Sequence, residues 1–222
     1  MKKLLFFELA VLLSQIGNTA DGWVLEDTTQ INRWNQYGKE LRYQDTQTSS
    51  LYLDSALHCS IRLGYSYGEA VACLNLGVNA ILAGDTENGI SRTQKALVLF
   101  DSLLHLPGVA DANKNLGILS YSRGEYEAAT TYYQQAINVF TQMKDTEGVA
   151  KCYSNVGLVS VAQGEYDQAV SQFMKSLQCS EQLANRELVA NNYVYLAQVY
   201  QFTNDLHTAL SYQKKALAVF EA

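Results

Sequence analysis

With 222 residues the chain is long enough for one or two domains, and 48% apolar against 17% charged residues exclude a disordered polymer. A single proline, Pro107, argues against an all-β fold, which would need many more turn residues. The net charge of −6 and the lack of a basic run argue against nucleic-acid binding, which depends on lysine and arginine displacing counterions.

Residues 1–22, MKKLLFFELAVLLSQIGNTADG, read as a separate segment. Lys2 and Lys3 precede an apolar run over 4–13, and small and polar residues follow, which is the layout of a secretory signal peptide. Glu8 interrupts the run, and Asn18 stands three residues from a cut after Ala20, where a small residue is usual. The other reading is an apolar helix docked on the domain. The layout leads us to expect an exported, periplasmic chain, with a cytoplasmic one as the alternative. The run is too short to span a bilayer, and no apolar run of about 18 or more occurs elsewhere, so no membrane span is expected in this chain.

From residue 30 to 222 a period of 40 takes over. Gly77, Gly117 and Gly157 keep it, with Ala197 next; Gly84, Gly124 and Gly164 keep it, with Asn204 next. Gly68, Gly108 and Gly148 keep it until Leu188 breaks the series, and Ala56, Ala96, Ala136, Ser176 and Ala216 stay in register throughout. A fixed period of this size marks stacked repeats. The expected units are 30–67, 68–107, 108–147, 148–187 and 188–222.

In the first unit Trp34, Tyr37, Gly38 and Leu41 fit one helix, 43–50 (YQDTQTSS) reads as a loop, and 51–63 as a second helix. The pattern is clearest in the fourth unit. Val149, Tyr153 and Val156 recur at helical spacing over 149–162, and Gly164 supplies the left-handed residue that ends a helix. The second helix, 167–183, carries Ala169, Phe173, Ser176 and Leu177 on one face. Gly157 and Ala169 are expected where the two helices cross, with Phe173 filling the space beside them. Ala136 and Ser176 are expected to face the next unit, and Tyr126 and Tyr166 to cover the turns. One such pair cannot bury its own apolar faces, so neighbours must stack.

These residues resemble the tetratricopeptide repeat (TPR). Tyr153, Val156, Gly157, Gly164, Ala169, Phe173 and Ser176 follow that family's pattern, as do Asn113, Leu116, Gly117, Gly124, Ala129, Tyr133 and Ala136. The period is 40 where about 34 is usual, which is similar to the longer-helix variant of kinesin light chains. The proline that commonly closes each unit is missing, and the outer units are degenerate, with Gly89 and Thr93 in the second and Gln213 in the fifth. The resemblance implies an all-α, right-handed superhelical solenoid of antiparallel helix pairs with about five repeats. The signal-like start and a first unit ending in RLGYSYGEA are similar to the extracytoplasmic sensor regions of bacterial TPR-containing histidine kinases and regulators.

The resemblance also implies a non-enzymatic scaffold that binds an extended peptide or partner segment on the concave face formed by first helices. The position two before the glycine would hold ligand backbone, here Asn75, Asn115 and Asn155, with Tyr195 next. An asparagine amide both donates and accepts, so a ladder of them reads any backbone. Lys114 and Lys151 could attract a carboxylate, and Ile118, Leu158 and Tyr121 could add apolar contact. The alternative function is a sensor or regulatory input module, truncated or stand-alone.

No catalytic, cofactor or metal residues are expected. Cys59, Cys73, Cys152 and Cys179 fit no CxxC spacing and read as buried apolar residues; His58, His105 and His207 have no neighbouring ligand. GDTENGIS, 84–91, resembles a phosphate loop, but Ile90 replaces its lysine and no strand precedes it. Glu125 with Glu127 and Glu165 with Asp167 read as charges favouring helix N-termini. The last helix, 206–220, carries Leu210, Leu217 and Phe220 without a polar cap, so more chain in a longer relative, another copy or a partner is expected to cover it.

Overall fold

The computed structural model describes residues 28–221. The signal-like segment 1–22 lies outside the described residues. The chain divides into two compact units, Met1–Leu76 and Gly77–Ala222.

The first unit holds helix α1 (Thr28–Leu41), α2 (Thr46–Leu63) and the start of α3 (Ser66–Ala83). Leu53 of α2 lies on Gly38 of α1, where any Cβ would collide with it, and Ser49 donates to the Gly38 carbonyl at 2.6 Å. Ile31, Ala56, Cys59 and Ala72 form the core, with Trp34, Leu57 and Tyr65 against it. The polar stretch 43–50, expected as a loop, is half helix: α2 begins at Thr46. Asp45 caps it, accepting from Thr48 N at 3.0 Å, and the Ser50 hydroxyl donates to the Thr46 carbonyl at 3.0 Å. Hydroxyl side chains that signal a loop are here satisfied by the helix itself.

The second unit continues from Gly77 through α4 (Thr86–Ser102), α5 (Leu106–Ser122), α6 (Tyr126–Gln142), α7 (Thr146–Ala162), α8 (Tyr166–Gln182), α9 (Arg186–Phe202) and α10 (Leu206–Glu221). The fold is all-α, with ten helices among the described residues forming five antiparallel pairs. From α4 to α9 each helix has 17 residues and each connection three, which sets the period of 40.

The backbone repeats twice as often as the sequence does. Every connection in this unit holds one residue in the left-handed region: Gly84, Leu104, Gly124, Lys144, Gly164, Ala184 and Asn204, with φ between 51° and 76°. The next residue caps the following helix. Asp85, His105, Asp145 and Asn185 each accept from the backbone N–H three residues on. Glu125 and Glu165 make no such bond; they place a negative charge at the helix start, and Glu125 also pairs with Arg123 at 3.0 Å. Glycine serves the turn within a pair up to Gly164, while the turns between pairs use side-chain-bearing residues.

Two kinds of bulky-on-glycine contact hold the helices. Within a pair, a residue of the second helix lies on a glycine of the first, 16 positions earlier: Thr93 on Gly77, Tyr133 on Gly117 and Phe173 on Gly157. A Cβ on Gly157 would stand 2.6 Å from the Phe173 ring. Between pairs, Phe100 and Phe140 lie on Gly108 and Gly148, eight positions later. The third junction is built differently, because Ser180 stands where phenylalanine would be and Leu188 where glycine would be. There Ser176 and Ser154 bond at 2.8 Å, Ser154 donates to Asn192 Oδ1 at 2.9 Å, and Asn192 donates back to Ser176 at 2.9 Å. This closed ring of hydrogen bonds joins α7, α8 and α9, and leaves none of its buried atoms unpaired.

Gly157→Ala should therefore cost about 1–3 kcal/mol, because backbone and ring cannot both stay in place; a lowered urea midpoint with unchanged m-value is the expected reading. Ala184→Gly should stabilise by about 1 kcal/mol, since its φ of 51° strains any L side chain; a raised Tm is expected, and Gly124→Ala should lower it by a similar amount.

Candidate functional site

Successive first helices of the second unit touch, α5 with α7 and α7 with α9, whereas second helices do not approach to the same degree. First helices are thus the inner layer, and their stripe away from the second helices is the concave surface. Asn115 with Ile118 on α5, and Lys151, Asn155 and Leu158 on α7, fall three or four residues apart on that stripe. Asn115 is buried and Asn155 partly so. Neither amide has a hydrogen-bond partner among the described residues. Ile118 and Leu158 are partly buried against the cores around Tyr133 and Phe173.

The other expected site residues sit differently. Asn75 belongs to the first unit, where it is buried and its amide oxygen accepts from Arg42. That pairing joins residues 33 apart and has no local signature in sequence. Lys114 leans over the Phe140 ring at 5.9 Å and pairs with Asp111 at 2.5 Å, which turns it toward the α6 side. Lys151 lies on the stripe but pairs with Glu147 at 2.5 Å. The bond and charge of Lys151 hold the Glu147 carboxyl below its usual range. Each lysine is thus paired with an acid of its own helix, Lys151 and Glu147 in a half-exposed pair. Tyr121 packs with Tyr126, ring centroids 5.9 Å apart, against the core over the α5–α6 turn.

Sequence reading missed an aromatic and cationic cluster between α9 and α10. Tyr200 stacks on Tyr212 at 5.6 Å, and Lys215 lies 4.9 Å from the Tyr212 ring and 5.7 Å from that of Tyr193. The same pairing occurs one unit earlier, with Lys175 over Tyr153 at 5.5 Å, so its register of 40 was the available signal. It braces each pair rather than forming a ligand cage, because the lysine already occupies the ring face.

Cys59, Cys73 and Cys152 are buried. Burial pushes the Cys152 thiol up to about 12, so it stays protonated and unreactive. No group of three metal-ligating side chains gathers among the described residues. The stretch 84–91 is a helix–turn–helix connection, with Gly84 in the left-handed region and Asp85 as cap, and no phosphate loop. No described helix is long and apolar enough to cross a membrane.

No curated protein sequence matches the chain. Two family models do: soluble NSF attachment protein (SNAP) over residues 44–180 and tetratricopeptide repeat over 148–222. Among solved structures, the apo form of RapI has a TM-score of 0.75 at 14% identity, covering 96% of this chain and 58% of RapI. A putative kinesin light chain with nearly identical TPR-like repeats from Podospora anserina has a TM-score of 0.72 at 12% identity, over 88% of this chain and 97% of its own. Aspartyl phosphate phosphatase F from Bacillus subtilis has a TM-score of 0.67 at 16% identity, over 89% and 62%. These likenesses establish the solenoid fold. Scaffolds of this repeat typically mediate protein–protein interaction and are generally non-catalytic. The attachment-protein model spans more than half of the chain and the repeat model its C-terminal third, so the chain belongs to the SNAP-like tetratricopeptide-repeat proteins.

Proposed function

We propose that the second unit captures an extended segment of a protein partner on the concave stripe of α5 and α7. The observation that carries this reading is the pair Asn115 and Asn155. They hold the same position in successive first helices, and their amides are unbonded among the described residues. Each amide can donate to and accept from a peptide backbone, and Ile118 and Leu158 add apolar contact one turn on. Lys151 lies on the stripe in its pair with Glu147, while Lys114 leans toward Phe140 and Tyr121 packs with Tyr126. In the first unit Asn75 holds the matching repeat position, with its NH₂ left to donate.

A second reading, a regulatory input module of a bacterial signalling system, draws on the exposed apolar residues of α10. Leu206, Leu210, Leu217 and Phe220 would form its output contact. RapI and aspartyl phosphate phosphatase F share the fold, and the signal-like start would export the module.

Selection from a random peptide library should yield ligands for the parent chain. The double variant Asn115→Ala, Asn155→Ala should bind them about tenfold more weakly or worse, a loss of about 1.4 kcal/mol or more, with unchanged circular dichroism and Tm. Equal affinity would move the site off the stripe. A matching fall in Tm would make the asparagines structural.

A further inference from the structure

We propose that the partner segment held on the concave stripe carries a proline, which packs on Tyr195 of α9. The inference rests on the concave-face reading and extends it by one helix. Tyr195 holds the repeat position of Asn115 and Asn155, one period on. Helix α9 touches α7 as α7 touches α5, so it continues the inner layer. The Tyr195 hydroxyl has no hydrogen-bond partner among the described residues.

The ring is held in place from one side. It stacks on Phe173 of α8, with centroids 5.1 Å apart and planes at 26°. Phe173 is itself fully buried, on Gly157. Because Phe173 belongs to the layer of second helices, the opposite face of the Tyr195 ring is turned toward the inner side, and Tyr195 is only partly buried. Tyr153, Tyr193 and Tyr212 each have a lysine over the ring; among the described residues Tyr195 has none.

The exchange of asparagine for tyrosine changes what this position selects. An asparagine amide answers both a backbone N–H and a backbone C=O. Tyr195 offers one hydroxyl and an apolar ring face. Proline matches that offer. It has no N–H to be answered, its carbonyl accepts from one hydroxyl, and its ring covers aromatic surface. An aromatic residue would also stack, but it would keep its N–H. The spacing agrees. Packed helices lie about 8–10 Å apart, which is close to three residues of polyproline II at about 3.1 Å each. The segment therefore passes Asn115, Asn155 and Tyr195 at intervals of about three residues, with the proline at its α9 end.

The test is selection from a random peptide library on the full parent chain, on Tyr195→Phe, on Tyr195→Asn and on the double variant Asn115→Ala, Asn155→Ala. Peptides taken by the parent should share a proline at one aligned position, enriched about fivefold or more over the unselected library. Tyr195→Phe keeps the ring and should keep the enrichment. Tyr195→Asn should lose it while still selecting peptides. A selected peptide remade with alanine or phenylalanine in place of that proline should bind the parent chain about fivefold more weakly by fluorescence anisotropy. That readout decides the matter even where loss of the stack on Phe173 unfolds Tyr195→Asn. Peptides that depend on Asn115 and Asn155 but share no proline, keep it on Tyr195→Asn, or bind equally well without it overturn this inference and leave the concave-face reading standing. Peptides that the double variant binds as well as the parent does, or no selected peptides at all, overturn both.

Discussion

A bulky side chain laid on a glycine is the contact on which the rest of this structure depends. A 17-residue helix is marginal on its own in water, and a pair of them still exposes two apolar faces. Removing Cβ at Gly117 and Gly157 lets the Tyr133 and Phe173 rings reach the backbone of the first helix, so each pair closes tightly. The same device, turned toward the next pair, closes the junctions at Gly108 and Gly148. Each buried ring contributes about 1.5–3 kcal/mol by removal of its surface from water. Because each contact involves only near neighbours, stability accumulates unit by unit along the second unit of the chain.

This geometry also places the surfaces that can bind. With second helices committed to the glycine contacts, the first helices form the inner layer, and their remaining stripe is the surface we propose for a ligand. Asn115 and Asn155 are the polar groups on that stripe that the packing does not use. The lysines beside them pair with acids on their own helices. In α10, Leu217 and Phe220 hold repeat positions that Ile137 and Phe140 hold in α6, but stand exposed where those are buried.

The pairing of helices, the crossing of Gly157 by Phe173 and the end of α7 near Gly164 were legible in sequence, because each rests on a residue that recurs at a fixed interval. The start of α2 was not. Its Ser and Thr residues signal a loop, and only Asp45 acting as cap with hydroxyls bonded back to carbonyls reveals a helix. The break at Leu188 was visible but could not be interpreted, since its meaning lies in Ser180, eight positions earlier, and in a hydrogen-bond ring drawn from three helices. The candidate site was legible as a ladder of asparagines. The engagement of Asn75 by Arg42 and the pairing of Lys114 and Lys151 depend on side-chain direction, which spacing does not give.

The central claim is that residue size at the two ends of each junction contact is matched. The most direct measurement is a double-mutant cycle at the second junction, with Gly148→Leu and Phe140→Ser made singly and together to imitate the Leu188 and Ser180 pair. Urea unfolding should show Gly148→Leu strongly destabilising alone and clearly less costly beside Phe140→Ser, a coupling of about 1–3 kcal/mol. Additive losses would contradict the account, because they would mean that the ring and the glycine do not answer to each other.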